Sequence, residues 1–321
     1  MEDSFTDIGT GVRTDVAHAL LRATEAAALK CARGIGRGDA DRARETAAAA
    51  MLRAIEGLGI CGRVVLAPRE DPILALGMII GGHDHPQYDL GVYPVEGASL
   101  VAKGLPGAIS VLVAARSDAF PAAPAVRYVD KMVAGPTARG ALDLDDGLVD
   151  NLRRIAFARD VRVSDLTVVI LDRPRHQDLI DEARDAGARI VLLEEGEIAG
   201  ALLAATPGTG IDAMVGVGGL QETIMAACAV SCLGGEIQAR LWPRNEDERR
   251  LVGDEVGRVY GVVNLAPSEV DVAVTGVSGG PLLRGAWFGS QGAETESLTL
   301  STRFHTHRRI KTSHYRVGKP G

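Results

Sequence analysis

Asp89-Leu90-Gly91-Val92-Tyr93-Pro94-Val95-Glu96-Gly97-Ala98-Ser99 is the stretch from which the rest of the chain is read. Leu90 and Val92 mark a short buried strand. Pro94 has no N–H to give a ladder and stops it, and Gly97 permits a tight turn. A strand that ends in Pro-x-Glu-Gly-small presents one carboxylate, Glu96, beside backbone N–H groups at a turn or helix start. That arrangement suits a metal ion, a phosphate, or both.

Upstream of this stretch, residues 15–33 read as a helix, with Val16, Leu20, Ala23 and Ala27 at helical spacing. Gly34-Ile35-Gly36-Arg37-Gly38 breaks it, and Asp39 or Asp41 caps an alanine-rich second helix that runs to Ile55. Residues 63–67, 108–114 and 127–133 read as strands. Beyond about residue 145 strands and helices alternate: helix 148–156, strand 166–171, helix 177–186, strand 189–193, helix 198–205, strand 211–217, helix 221–232. Such alternation predicts a doubly wound sheet with ligands at the C-terminal strand ends. A helix over 246–259 and strands near 271–275 and 297–302 follow, and the basic segment 305–311 reads as a solvated strand or helix end.

Composition narrows the classes. The chain has 321 residues, 46% of them hydrophobic, enough for one large domain or two fused lobes. Aromatics make up only 4% and glycines number 39, which fits a layered α/β protein with tight turns. A net charge of −7 without a long basic run argues against a nucleic-acid partner. No apolar run reaches the ~18 residues of a membrane span. Met-Glu-Asp-Ser-Phe lacks the basic start of a signal peptide. Cys31, Cys61, Cys228 and Cys232 have no disulfide-framework spacing, so a reduced, cytoplasmic protein is expected. Cys228 and Cys232 read as small buried apolar residues in preference to metal ligands.

The opening stretch resembles the Asp-Pro-Ile-Glu-Gly-Thr signature of class II fructose-1,6-bisphosphatases, members of the lithium-sensitive sugar phosphatases. Further matches run from about Thr24 to His314. Thr24-Glu25-Ala26-Ala27-Ala28 resembles the family's first helix, and Gly36-Arg37-Gly38-Asp39 its Gly-Arg-Gly-Asp. Arg173-Pro174-Arg175-His176 is similar to Lys-Pro-Arg-His, and Gly216-Val217-Gly218-Gly219-Leu220-Gln221-Glu222 to Gly-Ile-Gly-Gly-Ala-Pro-Glu. Thr275-Gly276-Val277 and Arg308 to His314 resemble the closing strands. The resemblance implies an α/β fold, a layered α-β-α-β-α sandwich in two lobes. An N-terminal lobe over 14–145 would carry the ancestral metal site, and a doubly wound lobe over 146–315 the sugar-phosphate clamp.

By the same resemblance, Tyr128, Arg173 and Arg175 bind substrate, the two guanidiniums forming a bidentate phosphate clamp. Glu195-Gly196-Glu197 stands for the family's sugar-holding Asp-Gly-Asp, and Gly219 for a backbone contact. Glu96 and Glu222 match metal-ligand carboxylates, whereas three other ligand positions carry Arg44, Pro68 and Tyr93. Glu70 and Asp71 match acids that help activate water. Hard cations need a shell of oxygens. No metal is therefore expected; Glu96 and Glu222 would hold one if any binds, and Mg or Mn belongs to the alternative reading. Arg44 is expected to stand where a metal stood and to pair with Glu96 or Glu222, relieving their mutual repulsion. His83-Asp84-His85 reads as a polar loop, with imidazole ligation as its alternative.

The function expected is binding of a phosphorylated sugar, or a related polyol or nucleoside, with metal-independent acid–base chemistry by Glu96, Glu222, Tyr93 and Glu70, such as elimination or isomerisation. The alternatives are a metal-dependent sugar phosphatase with an altered site and a non-catalytic subunit that partners an active relative. Oligomers of this chain, or with a relative, are expected.

Overall fold

Two helices rich in alanine open the structure because small side chains let them pack closely on each other and on a sheet. They are α1 (Val16–Ala32) and α2 (Ala40–Glu56), the second capped by the Asp39 carboxylate, which accepts the Arg42 N–H at 2.9 Å. The computed structural model describes residues 16–69, 71–82, 85–121 and 126–315. The chain continues through β1 (Gly62–Leu66), β2 (Ile79–Ile80), β3 (Tyr88–Glu96), α3 (Ala98–Lys103), β4 (Ile109–Arg116) and β5 (Tyr128–Ala134). Next come α4 (Leu148–Ala158), β6 (Thr167–Leu171), α5 (Gln177–Asp185), β7 (Arg189–Leu193), α6 (Glu197–Ala205), β8 (Ala213–Gly219) and α7 (Leu220–Leu233). The last elements are β9 (Glu236–Leu241), α8 (Glu246–Val252), β10 (Val259–Gly261), α9 (Val262–Leu265), β11 (Val270–Gly276), β12 (Trp287–Phe288), β13 (Gly292–Ser301) and β14 (Thr306–Tyr315).

Strand alternation sorts the core into layers. In β4, Ile109, Val111 and Val113 face one apolar cluster while Leu112 and Ala114 face another, shared with α1 and α2. The first cluster is filled by α6 and α7, whose surfaces are apolar nearly all round, as befits helices enclosed between two sheets. Beyond the second sheet, Leu152 and Ile155 of α4 and Ile180 of α5 cover Val168 and Ile170 of β6. The layers are therefore α1/α2, sheet, α6/α7, sheet, α4/α5, the five-layered α/β sandwich expected. Among the described residues no helix is long and apolar enough to cross a membrane.

The sheets do not follow the lobes expected at 14–145 and 146–315. The eight-stranded sheet has the order β12-β13-β11-β4-β3-β1-β2, with β14 beside β13, and so joins both ends of the chain. The six-stranded sheet has the order β10-β9-β5-β8-β6-β7 and takes β5 from before residue 145. It is doubly wound only in part: β6 runs parallel to β7 and β8, but β5 pairs antiparallel with β8 and β9. The helix expected over 246–259 stops at Val252, where Gly253 takes φ +57°, and 259–261 pairs with β9 instead. The tail segment is strand β14, running antiparallel along β13.

His176 joins the strand ends on which the site stands. Its buried ring meets the Leu171 carbonyl through Nδ1 at 2.8 Å, and its Nε2 accepts the Val217 N–H at 2.9 Å. This pairing requires the neutral ring, with Nδ1 protonated. Burial lowers the His176 pKa from its ordinary 6.5, so the unfolded chain binds the proton more readily. Stability from this group is complete above pH 6.5 and is lost as pH falls through the lower folded value. His176→Ala is expected to cost about 1–3 kcal/mol for each group left unpaired. Urea unfolding at pH 8 and pH 5 should show the gap between parent and variant narrowing at pH 5; a constant gap contradicts this role.

Candidate active-site cleft

The stretch that opened the sequence reading runs as β3 into a turn at Gly97, whose φ of +89° suits a residue without a Cβ, and then into α3. Pro94 interrupts the ladder: Tyr93 pairs with Val111, and the next partner pair is Glu96 with Ile109. The Glu96 carboxylate meets a helix start, as its motif suggested, but the helix is α6. Its two oxygens accept the N–H groups of Ile198 at 2.7 Å and Ala199 at 2.9 Å. Burial pushes Glu96 up to about 8, against the opposite pull of these two N–H groups.

With its N-terminus held this way, α6 turns successive residues of Glu195-Gly196-Glu197 to different surroundings. Glu195 accepts the Ser99 hydroxyl at 2.5 Å, and Gly196, at φ +113°, is the buried cap of the helix. Glu197 Oε2 accepts the Gly219 N–H at 2.8 Å and pairs at 2.9 Å with Lys131 Nζ, a side chain with 0% exposure. The ion pair passes directly over residue 218. A Cβ there would lie 2.0 Å from Glu197 Oε2 and 2.1 Å from Lys131 Nζ, so the glycine is required by close approach. Lys131 is fully buried, so Glu197 is the partner that compensates its charge.

Glu222, in the first turn of α7, accepts the Tyr93 hydroxyl in a short hydrogen bond. Burial and the Glu197 charge raise the Glu222 pKa. Burial and the Glu222 charge push the Tyr93 phenol far above its ordinary 10, so Tyr93 stays protonated and donates. Tyr93 is therefore a hydrogen-bond donor to Glu222.

Opposite these groups the wall is cationic. The guanidinium carbons of Arg127, Arg175 and Arg244 lie 5.4, 5.7 and 5.4 Å from the centre of the Tyr128 ring. Arg175 is steadied by the Val217 carbonyl at 2.8 Å and Arg173 by the Asp172 carbonyl at 2.8 Å. Between the two walls lies a cleft of about 450 Å³, bordered by Tyr93, Tyr128, Arg173, Arg175, Glu197 and Glu222, with Gly219 beside them.

Seven of the expected site residues thus share one cleft. Glu96 does not border it, because both its oxygens face α6, and Glu195 and Gly196 are turned away from it as described. Glu70, His83 and Asp84 lie outside the described residues, and His85 is exposed. The expected pairing of Arg44 with Glu96 or Glu222 does not occur. Arg44, half-exposed, pairs with Asp41 at 2.5 Å on its own helix and, with Pro68, borders a separate cleft. Among the described residues no three His, Cys, Asp or Glu side chains are grouped to hold a metal. Sequence reasoning missed Lys131, which lies on the same face of β5 as the core residues Val129 and Val133, where an apolar side chain would be expected. It also missed Arg69 and Arg127, which border the cleft. An arginine before Tyr128 and another in the loop after β1 were visible in the sequence, but only their shared cleft gives them meaning.

Compared with known proteins, residues 14–314 match the family described as bacterial fructose-1,6-bisphosphatase, glpX-encoded. A D-fructose 1,6-bisphosphatase class 2/sedoheptulose 1,7-bisphosphatase of Synechococcus sp. (strain JA-3-3Ab) is 36% identical, over 94% of this chain and 95% of that protein. A fructose-1,6-bisphosphatase 1 class 2 of Escherichia coli (strain K12) is 33% identical, over 95% of this chain and 96% of that protein.

The buried pair generates a stability prediction. Lys131→Met leaves Glu197 without its cation and is expected to cost roughly 3–5 kcal/mol. Adding Glu197→Gln removes the stranded charge while keeping an acceptor for the Gly219 N–H, and should recover a large part of that loss. Guanidinium denaturation of both variants checks this; a double variant no more stable than the single one contradicts it.

Proposed function

The chain belongs to the bacterial, glpX-encoded fructose-1,6-bisphosphatase family, and from that premise we propose that it is an enzyme acting on a phosphorylated sugar by proton transfer. One phosphate of the substrate rests on Arg173, Arg175 and Tyr128, with sugar hydroxyls toward Glu197 and the backbone at Gly219. Glu222 is the acid–base group. Its pKa, raised by burial, brings it nearer the neutral range in which a carboxyl both takes and gives a proton. Tyr93 orients it and supplies a hydrogen bond to the anionic form. The observation that carries this reading is the Tyr93–Glu222 hydrogen bond, formed between two positions that the resemblance implies are metal ligands in the family.

The family resemblance implies bivalent metals, and the donors among the described residues do not fit them. Both Glu96 oxygens are engaged by backbone N–H groups, one Glu222 oxygen by Tyr93, and Arg44 and Pro68 offer no ligand oxygen. Proton transfer of this kind suits elimination or isomerisation of the sugar. A second reading, metal-dependent hydrolysis of a sugar phosphate, is favoured by the activities for which the relatives are named.

Phosphate release from sugar mono- and bisphosphates, with EDTA and with Mg²⁺ or Mn²⁺, separates the two readings. Metal chemistry supplies several kcal/mol of transition-state stabilisation, so little or no fructose 1,6-bisphosphate hydrolysis is expected. Release at ordinary enzymatic rates that requires Mg²⁺ or Mn²⁺ assigns the second reading. Arg175→Ala should weaken a phosphorylated ligand by roughly 1.5–3 kcal/mol, as for a charged hydrogen bond. Calorimetric titration with fructose 6-phosphate measures it, and equal affinity in parent and variant counts against the clamp.

A further inference from the structure

The arginines of the cleft belong to two groups. Arg127 and Arg175 gather at the Tyr128 ring, with Arg173 from the same loop as Arg175. Arg69 comes from elsewhere, the loop that leaves β1. That loop is fastened by the Ala67 N–H, which donates to Gln221 Oε1 at 3.0 Å, and Gln221 precedes Glu222 in the first turn of α7. Arg69 is therefore brought to the cleft from the side of Tyr93 and Glu222. Its side chain is exposed and has no ion-pair partner among the described residues.

Charge makes the same point. Arg69, Arg127, Arg173 and Arg175 border the cleft against two carboxyls, Glu197 and Glu222. Glu197 is matched by Lys131. Arg69 also borders the neighbouring cleft with Asp41, Glu45 and Asp71 but forms no ion pair with them, so a ligand with one phosphate, seated at Tyr128, would leave the guanidinium at the far end without an anion. A cleft lined by one sign of charge raises the local concentration of ligands of the other sign.

We infer that Arg69 forms a second anion subsite at the Tyr93–Glu222 end of the cleft, so that the ligand carries two anionic groups and the one nearest Glu222 rests on a guanidinium in place of a bivalent cation. The inference rests on the proposed phosphate clamp at Arg173 and Arg175 and adds the other end of the ligand. A guanidinium is permanently charged and presents a planar fork that matches two phosphate oxygens. Unlike a metal ion, it needs no shell of protein oxygens, so the engagement of Glu96 by α6 and of Glu222 by Tyr93 does not obstruct it.

The test is equilibrium dialysis of fructose 1,6-bisphosphate and fructose 6-phosphate, in EDTA, against the full chain. The parent is expected to bind the bisphosphate about tenfold or more the tighter, the gain of an added charged hydrogen-bond pair. Arg69→Gln should abolish this preference and leave the monophosphate affinity unchanged, with an unaltered Tm because the side chain is exposed. Arg69→Lys should keep part of the preference as a point charge. Arg175→Ala should weaken both probes. A preference that survives Arg69→Gln, or that arises only when Mg²⁺ or Mn²⁺ replaces EDTA, overturns the subsite. If Arg69→Gln abolishes the preference but Arg175→Ala changes neither affinity, the Arg69 subsite stands and the clamp falls. Failure of the parent to bind either probe overturns both.

Discussion

Glu96 ends a strand of the eight-stranded sheet and accepts the first N–H groups of α6, a helix enclosed between the two sheets. Those N–H groups have no partners within their own helix and carry the positive end of its dipole, so a carboxylate is their natural complement. The contact spans 102 positions of sequence. It sets where α6 begins, and the beginning of α6 sets Glu197. From Glu197 the connection passes to Lys131 on β5 and to the Gly219 N–H at the end of β8, both in the other sheet. One wall of the cleft is thus a continuous set of polar contacts between the sheets, each partner satisfied by the next.

The cleft divides its charges accordingly. Carboxyls are drawn inward: burial raises the pKa of Glu222, and Glu197 is balanced by a lysine that has no access to water. Guanidiniums stay at the mouth, where they keep part of their hydration and need only single backbone carbonyls to steady them. This explains why Arg44 does not move in beside the glutamates. Burying a guanidinium is costly, and an aspartate three residues earlier on the same helix offers it a solvated partner. The compensating cation is Lys131, already on the strand that crosses the site.

Much of the fold was legible because it rests on local periodicity. Helical spacing in 16–32, the Asp39 cap, and the strand–helix alternation from β6 to α7 all follow from side chains that must face one core. The family resemblance ran along nearly the whole chain and located Tyr128, Arg173, Arg175, Glu197, Gly219, Tyr93 and Glu222, which the structure brings to one cleft. Strand order was not legible. A strand's sequence shows which of its faces is apolar but not which neighbour it will pair with, so β5 read as part of the first lobe and β11 to β14 as part of the second.

What the sequence by itself determined is the set of secondary elements, the apolar face of each, and the residue types at the site. The tertiary structure alone decided the partnerships among charges. Which helix N-terminus Glu96 meets, which cation pairs with Glu197, and whether Arg69 shares a cleft with Arg175 all depend on contacts between residues far apart in the chain. Electrostatic energy falls with distance and rises with burial. Both quantities are properties of the assembled layers, and neither is carried by any one segment.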